Sequence, residues 1–239
     1  MTVAHVVLEG GLLLVKTAEV TFRRIANCCL VAQSGRRLHL DPAEPMTSNR
    51  PPQLQSFLDH TEAAILAAAK EGSSSRRAAL TVFDRCRAGC GTEGNVVPQT
   101  LPVCEKLGAA LAEGRPVPVA AVFGELSPRL SWYRRASANP QDARFWDGHA
   151  NTVIFGQGGL EERRDVWIGA TLMDGGVTYV DHDHPPEEVY LALSPGEWWN
   201  AEMDWTEPGP GGLIYNPPGI RHAMRSGPLP FLALWFLPL

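Results

Sequence analysis

The chain has 239 residues, 44% of them hydrophobic and 20% charged, with a formal net charge of −5. That is enough apolar material for a core without covalent staples, and the acidic balance argues against a general nucleic-acid binder. The 23 glycines and 20 prolines exceed the usual combined share of about 12%, which predicts many turns between short strands.

Residues 1–50 read as a poorly defined N-terminal segment. Residues 3–15 suggest a strand pair around Gly10-Gly11, and 36–50 read as loop. The apolar run at 12–15 is far shorter than the roughly 20 residues of a spanning helix, so no membrane role is expected. No Lys or Arg precedes Lys16, so the charged front of a signal peptide is missing. Cys28, Cys29, Cys86, Cys90 and Cys104 are odd in number and form no CxxC pair. Neither a disulfide framework nor a cysteine zinc site is expected, and a reducing cytoplasm is the expected compartment.

Residues 51–116 read as a helical region. Leu54, Phe57, Leu58, Ala64, Ile65 and Ala68 recur near the helical period over 53–71, between Pro51-Pro52 and Gly72. A second helix is expected over 76–88 and a third over 102–113, each stopped by glycine. From 117 to 239 the pattern becomes short β-rich runs between Gly/Pro turns. Strands are expected at 152–155, 165–172, 177–180, 188–193, 198–205, 213–215 and 231–236. Spacing of this kind predicts a sandwich or barrel.

The chemistry concentrates in two stretches. In the first, His182 and His184 are two apart, so on a strand they share a face. Glu188 and Tyr190 have the same parity, but Pro185-Pro186 interrupts the strand between them. In the second, a Pro-Pro-Gly turn at 217–219 would present His222 from a neighbouring strand. Imidazole and carboxylate ligands together suit Fe, Mn, Co, Ni or Zn rather than calcium or magnesium. Four such ligands leave positions open for water or substrate.

These spacings resemble the cupin superfamily. Its first motif, G-x5-HxH-x3,4-E-x6-G, matches Gly176, His182, His184 and Glu188, with Gly196 one residue late. Its second, G-x5-PxG-x2-H-x3-N, matches Gly211, Pro217, Gly219 and His222, with Ser226 in place of Asn. That last difference puts a turn contact in question. The resemblance implies a mostly β fold, a double-stranded β-helix or jelly-roll barrel, preceded here by a small helical region. The run HxHxxxExY, followed by PPGIRHAMRSG and FLALWF, further resembles the dimethylsulfoniopropionate (DMSP) lyase family of cupins. Tyr190 and Tyr179 fall at positions of two tyrosines of that family.

The resemblance implies a carbon–sulfur lyase that takes a small molecule, DMSP, to dimethyl sulfide and acrylate by β-elimination. His182, His184, Glu188 and His222 would hold a divalent transition metal (Zn, Fe, Mn, Co or Ni). Tyr190 would be base or metal-linked phenolate, and Tyr179 an alternative base or an orienting group. A free tyrosine titrates near 10, so a neighbouring cation is needed to favour the phenolate. Trp235 would help hold the cationic leaving group on an aromatic face, with Trp167, Trp198 and Trp199 as further candidates. Homodimerisation through barrel edges is left open. A different metal-dependent cupin enzyme, such as a dioxygenase or isomerase, and a non-catalytic carboxylate-binding cupin are the alternatives.

Other polar residues have simpler readings. Glu187 has the wrong parity for the metal. Tyr179 also has odd parity relative to His182, so only a bulge or bend would bring both to one face. His5, His39, His60 and His149 read as surface or structural. Arg134-Arg135 reads as a solvated face, with carboxylate docking as the functional alternative. Cys86 and Cys90 read as helix packing.

Overall fold

The computed structural model describes residues 4–8, 11–15, 50–114 and 117–239. The chain divides into two compact units, Met1–Thr47 and Ser48–Leu239. In the first, β1 (Ala4–Leu8) and β2 (Gly11–Val15) form an antiparallel hairpin, the strand pair expected there. The loop expected at 36–50 lies, apart from Arg50, outside the described residues, as do Cys28, Cys29 and His39.

The second unit opens with α1 (Pro52–Ala68) and α2 (Ser74–Ala88). Pro52 starts α1 at a position where its missing N–H costs nothing. Ser73 caps α2, its Oγ accepting from the Arg76 N–H at 3.3 Å. A short strand β3 (Thr92–Glu93) follows, then a 3-10 turn (Pro102–Lys106), α3 (Leu107–Glu113) and α4 (Pro118–Leu126). The third expected helix is therefore a 3-10 turn running into a short α-helix. Helix α4 lies within the stretch that the sequence assigns to the barrel. It buries Val119, Ala120, Phe123 and Leu126 on one side.

After β4 (Trp132–Tyr133) and α5 (Ala143–Gly148) come the remaining strands. They are β5 (His149–Phe155), β6 (Glu161–Glu162), β7 (Val166–Met173), β8 (Thr178–His182), β9 (Glu188–Ala192) and β10 (Glu197–Asn200). Then follow β11 (Met203–Thr206), β12 (Leu213–Asn216), β13 (His222–Arg225) and β14 (Phe231–Pro238). The single strand expected over 198–205 is two strands, β10 and β11. The reversal between them uses neither Gly nor Pro. Asn200 makes it instead, its Oδ1 accepting from the Glu202 N–H at 2.9 Å.

The strands form two sheets. One has the order β11-β10-β13-β8, and the other runs β12-β9-β14-β7-β5-β6-β3 with β4 paired to β5. Alternation along the larger sheet separates two cores. Val189 and Leu191 of β9, Leu232, Leu234 and Phe236 of β14, and Ile168 and Ala170 of β7 pack with Leu54, Phe57, Val82 and Phe83 of the helices. The opposite face shares a second core with the smaller sheet. Tyr190, Phe231 and Trp235 meet Tyr179, Trp198 and Met224 there. Two sheets enclosing one interior, with helices on the outer face, make the expected double-stranded β-helix barrel of a cupin. Gly169 of β7 is required inside it, because a Cβ there would overlap the Trp235 ring opposite.

Candidate functional site

Two strands and a loop bring the motif histidines together. His182 ends β8, His222 begins β13, and the two are direct partners across that antiparallel pair. His184 follows in the connection to β9. One ring nitrogen of each lies within 4.8 Å of the others. The turn that positions His222 is tied to the same loop, since the Gly219 N–H donates to the His184 carbonyl at 2.9 Å. Gly219 sits at φ +71°, a conformation other residues rarely adopt.

Each imidazole is oriented the same way. His182 Nδ1 lies 3.0 Å from the Val180 carbonyl, His184 Nδ1 2.9 Å from that of Pro186, and His222 Nδ1 2.9 Å from that of Ile220. A carbonyl only accepts, so each Nδ1 carries the proton. In the neutral ring each Nε2 then offers a lone pair.

Glu188 completes the cluster. It is 4% exposed, and its Oε2 lies 3.3 Å from both His184 Nε2 and His222 Nε2. Burial alone would raise its pKa, but His184 and His222 bring it down to about 2. Behind it, Asn200 Nδ2 donates to Asn216 Oδ1 at 3.0 Å, and Asn216 Nδ2 to Glu188 Oε2 at 3.4 Å. Neither asparagine belongs to the motif positions read from the sequence. Glu187 is turned away and accepts from the Tyr215 hydroxyl at 2.7 Å.

The donors fit a divalent transition metal. His222 Nε2 is buried and makes no hydrogen bond of acceptable geometry. The three protonated Nδ1 atoms leave three Nε2 lone pairs beside an ionised carboxylate. Burial lowers the His182 pKa to about 4, with His222 adding to the shift. Its ring is therefore neutral at pH 7, the form that binds metal.

Both tyrosines line the same interior. Tyr190 is 2% exposed, its ring 5.9 Å from Trp198 and 6.5 Å from His222. Burial first, then the Glu188 carboxylate, push its pKa well above the ordinary value. Tyr179 is also buried, its ring 5.2 Å from His182. The parity problem is resolved by a bulge. His222 pairs with His182, but Met224 pairs with Tyr179, so β8 carries one extra residue over that span. Val180 and Asp181 are consecutively exposed there.

Tyr179 has a polar harness of two side chains. Asn151 Nδ2 donates to its hydroxyl at 3.1 Å, and Thr171 Oγ1 donates to Asn151 Oδ1 at 2.7 Å. Burial raises the Tyr179 pKa, while Arg135 and Asn151 oppose the rise. Trp235 faces the interior as Tyr190's strand partner, and its ring packs on Trp167 at 5.3 Å. Trp198 makes the closer ring contact with Tyr190.

The structure bears on three further sequence readings. Ser226 restores the questioned turn contact, donating to the Asp174 carbonyl at 2.6 Å and accepting from the Val177 N–H at 2.9 Å. His149 is fully buried, the structural of its two sequence readings. Arg134 pairs with Asp147 at 3.0 Å, but Arg135 turns inward, its Cζ 5.2 Å from the Tyr179 ring centre.

The fold and the histidine–glutamate cluster define a cupin with a potential metal centre. The profile of the dimethylsulfoniopropionate lyase family matches residues 74–233, and the chain belongs to that family. Over 97 residues it is 36% identical to dimethylsulfoniopropionate lyase DddQ of Ruegeria pomeroyi, covering 38% of this chain and 46% of that protein. Over 137 residues it is 31% identical to the DddL protein of Cereibacter sphaeroides, covering 55% of this chain and 56% of that one. The chain thus spans about half the length of these curated relatives. The crystal structure of DMSP lyase DddQ from R. pomeroyi superposes with a TM-score of 0.60 at 22% identity, over 80% of this chain and 93% of that one. This supports the shared fold. No helix among the described residues is long and apolar enough to cross a membrane.

Proposed function

We propose that this chain cleaves DMSP to dimethyl sulfide and acrylate by metal-dependent β-elimination. The observation that carries the reading is a buried, ionised Glu188 facing three oriented histidines beside two buried tyrosines, in a chain of the DMSP lyase family. His182, His184, Glu188 and His222 are the ligands in this reading. Zn, Fe, Mn, Co and Ni all suit them. A bound divalent ion would supply Lewis acidity toward the substrate carboxylate.

Tyr190 then takes the proton from the carbon next to that carboxylate. The released electron pair forms the carbon–carbon double bond and the carbon–sulfur bond breaks. Dimethyl sulfide leaves as a neutral molecule. Burial and the Glu188 carboxylate outweigh Arg135 and keep Tyr190 protonated at pH 7, so its role depends on a further positive charge. The aromatic interior, with Trp235 and Trp198, provides faces for the sulfonium without neutralising it. Tyr179 assists by orienting substrate. A second reading makes Tyr179 the base, favoured by the Asn151 hydrogen bond and the nearby Arg135 charge, both of which support a phenolate.

Headspace gas chromatography of dimethyl sulfide from metal-loaded protein tests the reading. Tyr190→Phe is expected to lower release at least about 100-fold with metal content unchanged, within the range of general acid–base catalysis. Full release from Tyr190→Phe and none from Tyr179→Phe would transfer the role to Tyr179. No release from the wild type with any of the five metals would overturn the lyase reading.

A further inference from the structure

Arg135 is distinguished by a buried donor. Like Arg77, Arg85 and Arg144, it pairs with no carboxylate among the described residues, but those three bond to backbone carbonyls. The Arg135 Nη1 is buried without a hydrogen-bond partner. Leaving a buried guanidinium N–H without a partner is costly, because its desolvation goes uncompensated.

The backbone at this position is held from inside the barrel. The Arg135 N–H donates to His149 Nε2 at 3.2 Å. That imidazole is fully buried, stacks on Phe145 at 3.7 Å and bonds through Nδ1 to the Phe145 carbonyl. Because a carbonyl only accepts, Nδ1 carries the proton and Nε2 is left as the acceptor that Arg135 requires. Burial lowers the His149 pKa, in keeping with this neutral tautomer. The guanidinium so placed lies over Tyr179, whose ring is in turn 5.2 Å from His182. Its positive charge acts on Tyr179, His182 and Tyr190 alike.

We propose that Arg135 is the anchor for the carboxylate of a small acid bound beside the histidine cluster, positioned by His149 and unpartnered until that acid enters. A guanidinium presents paired N–H donors that match the two oxygens of a carboxylate. The same charge repels a sulfonium, so the anchor sets direction on a zwitterionic substrate. The carboxylate end lies toward Arg135, and the cationic end toward the aromatic faces. The identity of that substrate rests on the lyase reading above, but capture of a carboxylate by Arg135 does not.

The test is calorimetric titration of acrylate into metal-loaded wild type, Arg135→Gln and Arg135→Lys, with metal content and melting temperature measured for each. Arg135→Gln is expected to weaken acrylate binding at least about tenfold, as loss of a charged hydrogen bond requires, and Arg135→Lys to restore part of it. Acrylamide, similar in shape but uncharged, is expected to bind wild type and Arg135→Gln equally. In turnover, KM for DMSP is expected to rise by a similar factor. Equal acrylate affinity in wild type and Arg135→Gln, or no acrylate binding to the wild type, would overturn the proposal. Arg135-dependent acrylate binding without dimethyl sulfide release would uphold the anchor and defeat the lyase reading. Dimethyl sulfide release with KM and acrylate affinity unchanged in Arg135→Gln would do the reverse. Should Arg135→Gln fold poorly, the same comparison is read from Arg135→Lys, where unchanged acrylate affinity overturns the proposal.

Discussion

Two buried glutamates in one barrel unit show how a site is told from a strut. Glu161, on the strand next to the edge of the larger sheet, is 3% exposed, and Glu188, in the interior, is 4% exposed. Glu161 is saturated by fixed donors. Arg50 reaches it at 2.6 and 3.1 Å, Arg163 at 3.0 Å and the Gly91 N–H at 2.8 Å. Those guanidiniums go on to the Cys86, Gly89 and Arg85 carbonyls, so the cluster ties α2 and the loop after it to the sheet. Glu188 meets two imidazoles and an asparagine amide instead. Guanidinium charge is permanent, whereas an imidazole carries charge only when protonated. In the proposed reading a bound cation would supply the lasting counter-charge that Glu188 lacks. Burial alone does not separate the two residues; the permanence of their partners does.

The comparison can be broken at either end, and the largest effect is expected at the interior one. His222→Ala should abolish stoichiometric metal by elemental analysis and lower dimethyl sulfide release at least about 1,000-fold. The melting transition should stay cooperative, because catalysis built on a metal collapses when its ligand set does. Next comes Tyr190→Phe, which should keep the metal while losing turnover, separating the chemistry from the ligand shell.

At the other end, Glu161→Gln removes the carboxylate shared by the buried Arg50 and Arg163 guanidiniums, of which Arg163 keeps Asp165. It should cost about 3–5 kcal/mol in denaturant unfolding, with activity per folded molecule unchanged. The smallest effect is in pH. Burial raises the Glu161 pKa, but Arg50, Gly91 and Arg163 outweigh it, and the net shift is downward. The stability it contributes is therefore fully present above the ordinary glutamate value of about 4.3. It is lost as pH falls through the depressed folded value. Wild type should lose stability below about pH 4, and Glu161→Gln should lose less over the same interval by acid titration of unfolding.

The two clusters were unequally legible in the sequence. His182, His184, Glu188 and His222 are legible because the cupin motifs fix their spacing along local chain, and Tyr190 shares the strand parity of Glu188. Tyr179 did not follow from parity, since a bulge in β8 adds a residue that alternation cannot anticipate. Asn216, which steadies Glu188, and Asn151, which steadies Tyr179, lie on strands whose pairing is set by long-range topology. Arg135 is read as solvated beside Arg134 because nothing local distinguishes them. Its inward turn depends on His149, 14 residues later. The β10–β11 reversal was hidden because Asn200 performs a turn usually marked by glycine or proline.

The most direct test of the account is a cation titration of chelator-stripped protein with dimethyl sulfide release followed at each step. The account predicts no release from stripped protein and release rising in proportion to bound cation, to a limit of one ion per chain. Glu188→Gln should need far more cation, and Glu161→Gln should titrate like wild type. Undiminished release from fully stripped protein would contradict the claim that Glu188 and its histidines form the reacting centre through a metal.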